Sequence, residues 1–316
     1  MSLVVASQLG PEFDAELAAL PFDPKIVSVN GDEPWRVADE SDVLVVRPSP
    51  QWQAMREKPV PSGWPGRLRW VFSASTGIDT YPAWLLDAPL VTCGRGTASD
   101  EIADYVMAAI YQRSKNLDAV TVRSAAEWRV QSLGGVMGST VGILGMGAIG
   151  QAVASRALAL GMRVVGVRRR DTGAAIPGGV ELLTGFAEVV KRADHIVIAL
   201  PSTPQTFRIV NAALLARAKP DAHLINVARG AIVDQKALVD ALDAQRLGFA
   251  TLDVTDPEPL PEGDPLYTHA KVRLTPHISA HSEAVRDRLL EKLKRDLCLF
   301  AKGEQPGDVV DPVSRY

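Results

Sequence analysis

Cysteine and histidine are scarce in this chain of 316 residues, which contains 2 cysteines and 5 histidines. Cys93 and Cys298 lie far apart and match no metal or redox spacing, which excludes a disulfide scaffold and favours a reducing compartment. We expect both thiols to be buried and inert. Histidine, cysteine and carboxylate residues also form no cluster with metal-site spacing, and we therefore predict that the protein binds no metal.

Strong net charge and long apolar runs are missing as well. A net charge of -3, with both signs interspersed, gives no electrostatic reason to expect nucleic acid or an anionic membrane as a partner. No segment is apolar for long enough to span a bilayer, and the N-terminus lacks the features of a signal peptide. The sequence predicts a cytoplasmic protein, and its 47% hydrophobic content suffices for two domains with separate cores.

What the chain does contain is a glycine-rich loop between a strand pattern and a helix pattern. Residues 140–150, TVGILGMGAIG, follow the G-x-G-x-x-G spacing. The next segment, 151–160, favours a helix that ends at Gly161. Such a loop lets backbone N–H groups approach a pyrophosphate at the helix N-terminus. The predicted dinucleotide contacts are Gly145, Met146, Gly147, Ala148, Ile149 and Gly150.

The residues after the following strand pattern indicate which nicotinamide cofactor binds. An NAD site carries an acidic residue there for the ribose hydroxyls, whereas this chain has Arg168, Arg169 and Arg170. Guanidinium groups can bind a 2'-phosphate through paired, charge-assisted hydrogen bonds. We therefore predict that NADP(H) is favoured over NAD(H). The alternative is a solvated basic loop beside Asp171.

Strand and helix patterns alternate along the chain and predict a two-domain α/β protein. Strand patterns in the first part lie at 3–6, 25–29, 42–47, 69–74 and 89–93. A long helix capped by Ser99 or Asp100 leads to strand patterns at 140–144, 163–167, 195–200, 223–227, 249–254 and 272–275. The second part therefore predicts a Rossmann-type doubly wound parallel sheet, and the first a smaller α/β domain. A final helix, 283–302, packs through a stripe of Leu290, Leu293, Leu297 and Phe300.

Three polar residues follow predicted strands of the second part. Arg229 follows the strand at 223–227, Glu258 the strand at 249–254 and His277 the strand at 272–275. Reduction of a carbonyl beside a nicotinamide needs a cation for an anionic substrate, a proton donor and a partner for that donor. Because ligands bind outside the carboxyl ends of parallel strands, these three side chains can converge on one crevice.

The motifs around these residues resemble the D-isomer-specific 2-hydroxyacid dehydrogenase family over nearly the whole chain. The matching motifs are N-x-x-R-G at Asn226–Gly230, D-V-x-x-x-E-P-L-P at Asp253–Pro261 and T-P-H at Thr275–His277. The resemblance implies that His277 protonates the keto oxygen of the substrate, that Glu258 pairs with the imidazole and that Arg229 binds the carboxylate. The glyoxylate/hydroxypyruvate reductase branch is the most similar.

The same resemblance implies further contacts and a domain division. Residues 1–97 and 284–316 would form a discontinuous, flavodoxin-like substrate domain, and 98–283 an NADP(H)-binding domain that forms a homodimer through the helix after residue 98. In the first domain, the turn of Ser75, Thr76 and Gly77 would hold the substrate carboxylate, the alternative being an ordinary strand-to-loop turn. Further expected cofactor contacts are Leu200, Pro201, Thr206, Val227, Ala228, Arg229, Asp253, His277 and Ser279.

These features predict NADPH-dependent reduction of a small 2-oxoacid, of the glyoxylate or hydroxypyruvate type, to the D-2-hydroxyacid. A 2-ketoacid reductase of broader specificity is an alternative. Phosphoglycerate dehydrogenase is disfavoured because a C-terminal regulatory domain is lacking. Formate dehydrogenase is disfavoured because it would not use the combination of Arg229, Glu258 and His277 in this form. A hypothesis from another functional class is a corepressor similar to the C-terminal binding proteins, which share this fold. That hypothesis predicts partner binding with poor turnover.

The other histidines and the tryptophans are interpreted more plainly. His195 and His223 begin apolar strands and are expected to be packed or on the surface, and His269 to lie in a loop without a partner. For Trp52, Trp64 and Trp84, packing is favoured over a role as walls of a substrate cleft.

Overall fold

The computed structural model describes residues 2–31, 33–168 and 175–311. The chain forms two compact units. The first consists of Met1–Thr97 together with Ser282–Tyr316, and the second of Ala98–His281. The chain therefore leaves the first unit once and returns to it with its C-terminal segment.

The described residues of the first unit build a parallel sheet of short strands. The elements in chain order are β1 (Val4–Ser7), α1 (Pro11–Ala18), β2 (Lys25–Ser28), β3 (Val43–Val46), α2 (Pro50–Ala54), β4 (Trp70–Ser73) and β5 (Val91–Cys93). The strand order is β2-β1-β3-β4-β5, and every pairing is parallel. Short 3-10 helices at Pro34–Asp39 and Ala83–Asp87 lie in the connections.

The second unit contains the larger sheet. Its helices and strands are α3 (Ser99–Lys115), α4 (Leu117–Val120), β6 (Thr140–Leu144), α5 (Ala148–Ala159), β7 (Arg163–Val167), β8 (Val180–Leu183), α6 (Phe186–Arg192), β9 (His195–Ile198), α7 (Ala212–Leu215), β10 (His223–Asn226), α8 (Gln235–Asp243), β11 (Phe249–Leu252) and β12 (Val272–Leu274). The 3-10 helices are Ala125–Glu127, Gly230–Ile232 and Pro265–Tyr267.

The sheet of the second unit is parallel throughout, in the order β12-β11-β10-β9-β6-β7-β8. The direction of winding reverses at β6, which pairs with β7 on one side and with β9 on the other. This is the doubly wound arrangement, so the predicted fold class is confirmed. The carboxyl end of β6 lies at the switch point, and the glycine-rich loop follows it directly.

The last helix, α9 (Glu283–Ala301), belongs to the first unit. Leu293 and Leu297 are fully buried against the apolar face that includes Val45 and Phe72, as the predicted stripe requires. The other face of that sheet packs on an aromatic cluster formed by Trp35, Trp52, Tyr81 and Trp84, with Trp64 at its edge. Because both faces are covered, the central strands are apolar along their length. The packing interpretation of the tryptophans is confirmed.

One prediction about local structure is wrong, and one strand was missed. Neither Ser99 nor Asp100 caps α3, because the helix starts one residue earlier than expected and its cap position is Ala98, without a side-chain cap. Asp100 lies in the first helical turn instead, where a negative charge is favourable. The strand β8 was not predicted, because it is an edge strand whose middle residues are exposed and it carries no long apolar run.

Cysteine and histidine environments differ partly from the expectations. Cys93 is buried and burial raises the pKa of its thiol, but Cys298 is only half-buried, contrary to the prediction. His195 and His223 are packed inside, as expected. His269 has a partner after all, since its Nε2 lies 3.2 Å from a carboxylate oxygen of Asp243.

Within the described ranges, no group of three or more histidine, cysteine or acidic residues could hold a metal ion. In those same ranges, no helix is long and apolar enough to cross a membrane.

Candidate active site

The three predicted catalytic residues lie in three consecutive loops of the second unit. Arg229 follows β10, Glu258 follows β11 and His277 follows β12, and these strands are neighbours in the parallel sheet. All three loops therefore leave the same edge of the sheet, the edge at which the glycine-rich loop leaves β6. The topology brings together groups that are up to 48 residues apart in the chain.

His277 and Glu258 are in direct contact. The Nδ1 atom of His277 lies 3.1 Å from Oε2 of Glu258, and about four-tenths of each side chain remains exposed. The hydrogen bond that Nδ1–H of His277 donates to Glu258 raises the pKa of His277 above its ordinary value of 6.5. Burial and the charge of Arg229 oppose this rise, while the charges of Glu258 and Asp253 add to it. The charged form of His277 is therefore favoured more than in a free histidine, and Nε2 is the ring nitrogen that can exchange a proton with a substrate.

The backbone of His277 has an unusual conformation. Its φ angle is 54°, in the left-handed region that residues other than glycine rarely adopt. Its N–H group donates to the backbone oxygen of Asp253 at 2.9 Å. Backbone strain of this kind persists where surrounding contacts hold it, and it is common at functional sites.

The contacts that hold the His277 loop converge on one buried carboxylate. Asp253 is 1% exposed, and its Oδ1 accepts hydrogen bonds from the hydroxyl of Thr275 at 2.6 Å and from the N–H of Ile278 at 3.0 Å. Its Oδ2 accepts from the N–H of Ser279 at 3.0 Å. The hydroxyl of Tyr105, on α3, lies 2.6 Å from that of Thr275. In this structure the carboxylate of Asp253 thus holds the loop on both sides of His277.

A side-chain amide performs the same task for the Arg229 loop. Asn226, the last residue of β10, donates through Nδ2 to the backbone oxygen of Arg229 at 2.9 Å and accepts through Oδ1 from the N–H of Ala228 at 3.1 Å. The guanidinium of Arg229 donates to the oxygen of Ala228 at 2.8 Å. Val227 and Ala228 are buried. The asparagine of the N-x-x-R-G motif therefore shapes the loop that presents the arginine.

The glycine of the same motif joins this loop to the next. A Cβ atom on Gly230 would lie only 1.9 Å from the carbonyl carbon of Thr255, in the loop that carries Glu258. No side chain fits there, so glycine allows the two loops to touch.

The glycine-rich loop fits a dinucleotide by the same test of space. Gly145 has a φ of 108°, and a Cβ on it would lie 2.5 Å from the oxygen of Ala199. A Cβ on Gly150 would lie 2.1 Å from the oxygen of Gly145. Gly147 is the cap residue of α5, whose first turn is Ala148, Ile149 and Gly150. The helix N-terminus therefore meets a tight loop with no side chain at its closest approaches, as binding of a pyrophosphate requires.

Other predicted cofactor contacts take up defined positions around this loop. The side chain of Met146 is buried and packs over Gly166, so only its backbone belongs to the loop surface. Thr206 donates to the oxygen of Pro201 at 2.7 Å and accepts from the N–H of Thr203 at 2.9 Å, which closes the loop that begins with Leu200. Arg168 follows the carboxyl end of β7 and is half-buried. Arg169 and Arg170 lie outside the described residues.

In the first unit, the predicted substrate turn follows β4 and is braced by its own hydroxyl groups. Ser75 donates to the oxygen of Gly77 at 2.6 Å, and its N–H donates to the hydroxyl of Ser73 at 3.3 Å. Thr76 donates to the oxygen of Gly94 at 3.3 Å. Tyr81, whose pKa is raised by burial, shares a hydrogen bond with Ser73 at 3.2 Å. The turn thus has a defined shape within its own unit.

Some of these contacts were not foreseen in the sequence. The Tyr105 hydroxyl and the Thr275 hydroxyl gave no signal, because a tyrosine on a helix and a threonine in a loop are most often ordinary packing or capping residues. Their proximity depends on how α3 packs beside the sheet. The pairing of Glu258 with His277 could be foreseen only through the family motifs.

Comparison with known proteins supports the family assignment. The description "D-isomer specific 2-hydroxyacid dehydrogenase, NAD binding domain" belongs to the family pattern that matches residues 105–279, more than half of the chain. A glyoxylate reductase of Korarchaeum cryptofilum is 34% identical over 231 residues, which are 70% of this chain and 69% of that protein. A D-3-phosphoglycerate dehydrogenase of Mycobacterium tuberculosis is 30% identical over 318 residues, covering 98% of this chain but 58% of that protein.

A solved structure of similar fold comes from Sinorhizobium meliloti. It is an NADPH-dependent glyoxylate/hydroxypyruvate reductase in complex with NADP and sulfate, 28% identical, with a TM-score of 0.79 and full coverage of both chains. The two parallel sheets described above agree with the structural match, which extends over the full length of both chains. The chain belongs to the D-isomer-specific 2-hydroxyacid dehydrogenases, near the glyoxylate/hydroxypyruvate reductases, and is an NAD(P)-dependent oxidoreductase.

Proposed function

We propose that this protein reduces a small 2-oxoacid, of the glyoxylate or hydroxypyruvate type, to the corresponding D-2-hydroxyacid, with NADP(H) as its preferred cofactor. The observation that carries the proposal is the contact between His277 and Glu258 at the sheet edge that also bears Arg229 and the glycine-rich loop. The nicotinamide supplies the hydride when it is bound.

His277 is the proton donor of this reaction. Glu258 engages Nδ1 and favours the imidazolium, so Nε2–H can protonate the keto oxygen as negative charge develops on it. The pKa of His277 is raised above 6.5, and reduction therefore proceeds fully below that raised pKa and fades as the pH rises through it. In the reverse direction the neutral imidazole accepts the proton.

Arg229 binds the carboxylate of the 2-oxoacid. Its planar guanidinium can make two parallel hydrogen bonds to a carboxylate, and its positive charge also stabilises charge that develops on the neighbouring carbonyl oxygen. The backbone N–H groups of the turn at Ser75, Thr76 and Gly77 are proposed as further donors to the carboxylate. A Lys at position 229 keeps the charge but loses the planar fork, and we expect Arg229→Lys to raise the KM for the oxoacid strongly.

The proposed cofactor preference rests on the residues after β7. Arg168, Arg169 and Arg170 stand where an NAD enzyme carries an acidic residue, and the similar Sinorhizobium meliloti reductase was crystallised with NADP. An arginine–phosphate interaction of about 1.5–3 kcal/mol corresponds to a preference of roughly 10- to 150-fold. Arg168→Gln should raise the KM for NADPH and leave that for NADH nearly unchanged.

The test is to follow NADPH and NADH consumption with glyoxylate, hydroxypyruvate, pyruvate and longer 2-oxoacids. His277→Asn is the matched inactive control, because asparagine tolerates the left-handed backbone of position 277 better than alanine does. We expect glyoxylate or hydroxypyruvate to have the highest kcat/KM, with NADPH preferred and the variant inactive. Nucleotide binding without turnover of any oxoacid would contradict the proposal and favour a corepressor-like binding protein, while equal turnover of long 2-oxoacids would favour a broader reductase.

We also propose that the second unit forms a homodimer through α3, the helix after residue 98, together with the segment that follows it. Large apolar side chains between residues 117 and 137 are exposed, with Trp128 77% and Val130 100% accessible. Exposed large apolar side chains concentrated in one segment are a feature of interfaces. Light scattering should give the mass of a dimer for the unchanged protein and of a monomer for Val130→Asp with Trp128→Ser. A monomeric unchanged protein would contradict this proposal and leave the catalytic one intact.

A further inference from the structure

Gln235, the first residue of α8, contacts the loop that carries Glu258. Its side-chain Nε2 donates to the backbone oxygen of Asp256 at 2.8 Å, and its Oε1 accepts from the backbone N–H of the same residue at 2.8 Å. The side-chain amide of Gln235 thus binds both the backbone N–H and the backbone oxygen of Asp256, which restrains the position and the orientation of the backbone at that residue. Asp256 is two residues before Glu258.

The rest of that loop has few other restraints near Glu258. Residues 256–259 are exposed, between buried Val254 and buried Leu260. Thr255 donates to the oxygen of Pro257 at 2.9 Å, a contact within the loop that does not anchor it to another element. The close approach of Gly230 restrains the start of the loop at Thr255. The amide of Gln235 is therefore the described side chain that ties the exposed part of the loop to a helix.

The helix end that bears Gln235 is itself well placed. Asp234 caps α8 by accepting from the N–H of Ala237 at 3.1 Å, and its own N–H donates to the oxygen of Val210 at 3.0 Å. On the same helix, Leu238 and Leu242 are fully buried. Gln235 thus extends from a rigid element, as a residue that positions a catalytic group must.

We infer that Gln235 is a positioning residue, which holds Glu258 in register with His277 through the backbone of Asp256. The inference rests on the proposed function of that pair. It adds to the two neighbouring loops, where Asn226 and Asp253 perform the equivalent task for Arg229 and His277.

The consequence for the chemistry lies in the protonation of His277. The groups that act on it are Glu258 and Asp253, which favour the charged form, and Arg229, which opposes it. The largest of these effects is the hydrogen bond that His277 donates to Glu258, which depends steeply on distance and angle. A loop released from Gln235 samples positions in which this bond is longer. The pKa of His277 then falls towards 6.5, and the high-pH limb of the reduction moves to lower pH.

Two neutral substitutions test this without changing the charge near His277. Gln235→Met has a side chain of similar length that makes neither hydrogen bond, and Gln235→Asn keeps the amide but is one methylene too short to make both. Glu258→Gln is the reference for complete loss of the carboxylate. Lys236→Gln is the matched control, since Lys236 is the next residue of the same helix, is exposed and pairs with Asp240 rather than with the loop.

The measurement is a titration of labelled histidine rings by NMR, with the signal of His277 assigned by its loss in His277→Asn. This readout does not depend on turnover. We expect the pKa of His277 to follow the order unchanged protein, Gln235→Asn, Gln235→Met, Glu258→Gln, from highest to lowest, with Lys236→Gln equal to the unchanged protein. The loss of two exposed hydrogen bonds should also reduce kcat/KM above neutral pH by about three- to tenfold in Gln235→Met.

An unchanged His277 pKa in Gln235→Met, beside a lowered one in Glu258→Gln, would overturn the inference. A lower melting temperature with an unmoved titration would assign Gln235 a merely structural role and would overturn it as well. If Gln235→Met does not fold, the position of Gln235→Asn in the order decides. If the order holds but no oxoacid is reduced by the unchanged protein, the inferred positioning stands and the proposed function fails.

Discussion

A buried pair of histidines should make the second unit lose stability in mild acid. His195 begins β9 and His223 begins β10, they are register partners in the sheet, and their rings are 5.7 Å apart in an edge-to-face arrangement. Nε2 of His223 lies 2.8 Å from the hydroxyl of Thr251, while in the part of the chain that the structure describes Nδ1 of each ring is buried without a hydrogen-bond partner. A proton on either ring would place a charge in an apolar, unpaired environment.

The size of the effect follows from the pKa of His195. Burial lowers that pKa to about 4 from 6.5, with the charge of Asp194 opposing the fall and that of Arg113 adding to it. Between these two values the unfolded chain binds the proton and the folded protein does not. The contribution of the neutral His195 to the free energy of unfolding is therefore fully present above pH 6.5 and is lost as the pH falls towards 4. At about pH 5 the loss relative to about pH 8 amounts to roughly 2 kcal/mol.

His223 adds to this loss, because burial and the neighbouring His195 lower its pKa as well. The expected perturbation is His195→Phe, which keeps a ring in the same place but cannot take up a proton. Any change that repacking makes in the absolute stability of this variant is the same at both pH values and cancels in their difference.

The assay is urea unfolding at about pH 8 and about pH 5, with hydrogen exchange of the β9 and β10 amides to localise the effect. The free-energy difference between the two pH values should be smaller in His195→Phe by about 2 kcal/mol than in the unchanged protein. His281→Gln, which removes an exposed histidine of the same unit, should leave the difference as it is. An equal pH dependence in His195→Phe and the unchanged protein would refute the reasoning.

Three further predictions follow from buried contacts. Asp253→Asn should lower the free energy of unfolding by about 1.5–3 kcal/mol, because an amide nitrogen would face a backbone N–H group. The same variant should reduce kcat up to roughly 100-fold, because His277 would be misplaced. An unchanged melting temperature and an unchanged turnover would contradict this prediction. Gly150→Ala should weaken NADPH binding more than tenfold in a fluorescence titration, since its Cβ would lie 2.1 Å from the oxygen of Gly145, and wild-type affinity would show that the loop adapts. Lys292→Met should cost about 3–5 kcal/mol in urea unfolding, because it removes the lysine partner of the Asp296 carboxylate, which is 1% exposed; a cost below 1 kcal/mol would show that Arg295, whose Nε lies 3.4 Å from Oδ1 of Asp296, suffices as its partner.

Several parts of the molecule could be predicted because they depend on local pattern. The strand predicted at 140–144 is a largely apolar run that ends before Gly145. Both predicted ends agree with the structure. The stripe of α9 follows helical periodicity, and its central leucines are buried. Arg229, Glu258 and His277 each follow a predicted strand, and parallel strands end at one edge whatever the details of packing.

Other features depend on distances that the sequence does not encode locally. The edge strand β8 forms because β7 offers it a partner, since its own residues are half-exposed and weakly apolar. Asp253 could be assigned from motifs only as a cofactor contact, whereas the structure places Thr275 and two backbone N–H groups around its carboxylate. His269 gave no sign of its contact with Asp243, which lies 26 residues earlier at the end of α8, because no local pattern links the two positions.

The sequence alone thus predicted most of the strands and helices, the glycine-rich loop and the three candidate catalytic side chains, because these rest on spacing and residue chemistry. The tertiary structure decided how those side chains are held. Gln235 contacts Asp256, 21 residues later, because of the position of α8 in the fold. His195 contacts His223, 28 residues later, because of the register of the neighbouring strands β9 and β10. Contacts of this kind are set by the packing of the whole sheet, which minimises both the exposed apolar area and the number of unpaired polar groups. No local sequence pattern specifies that packing.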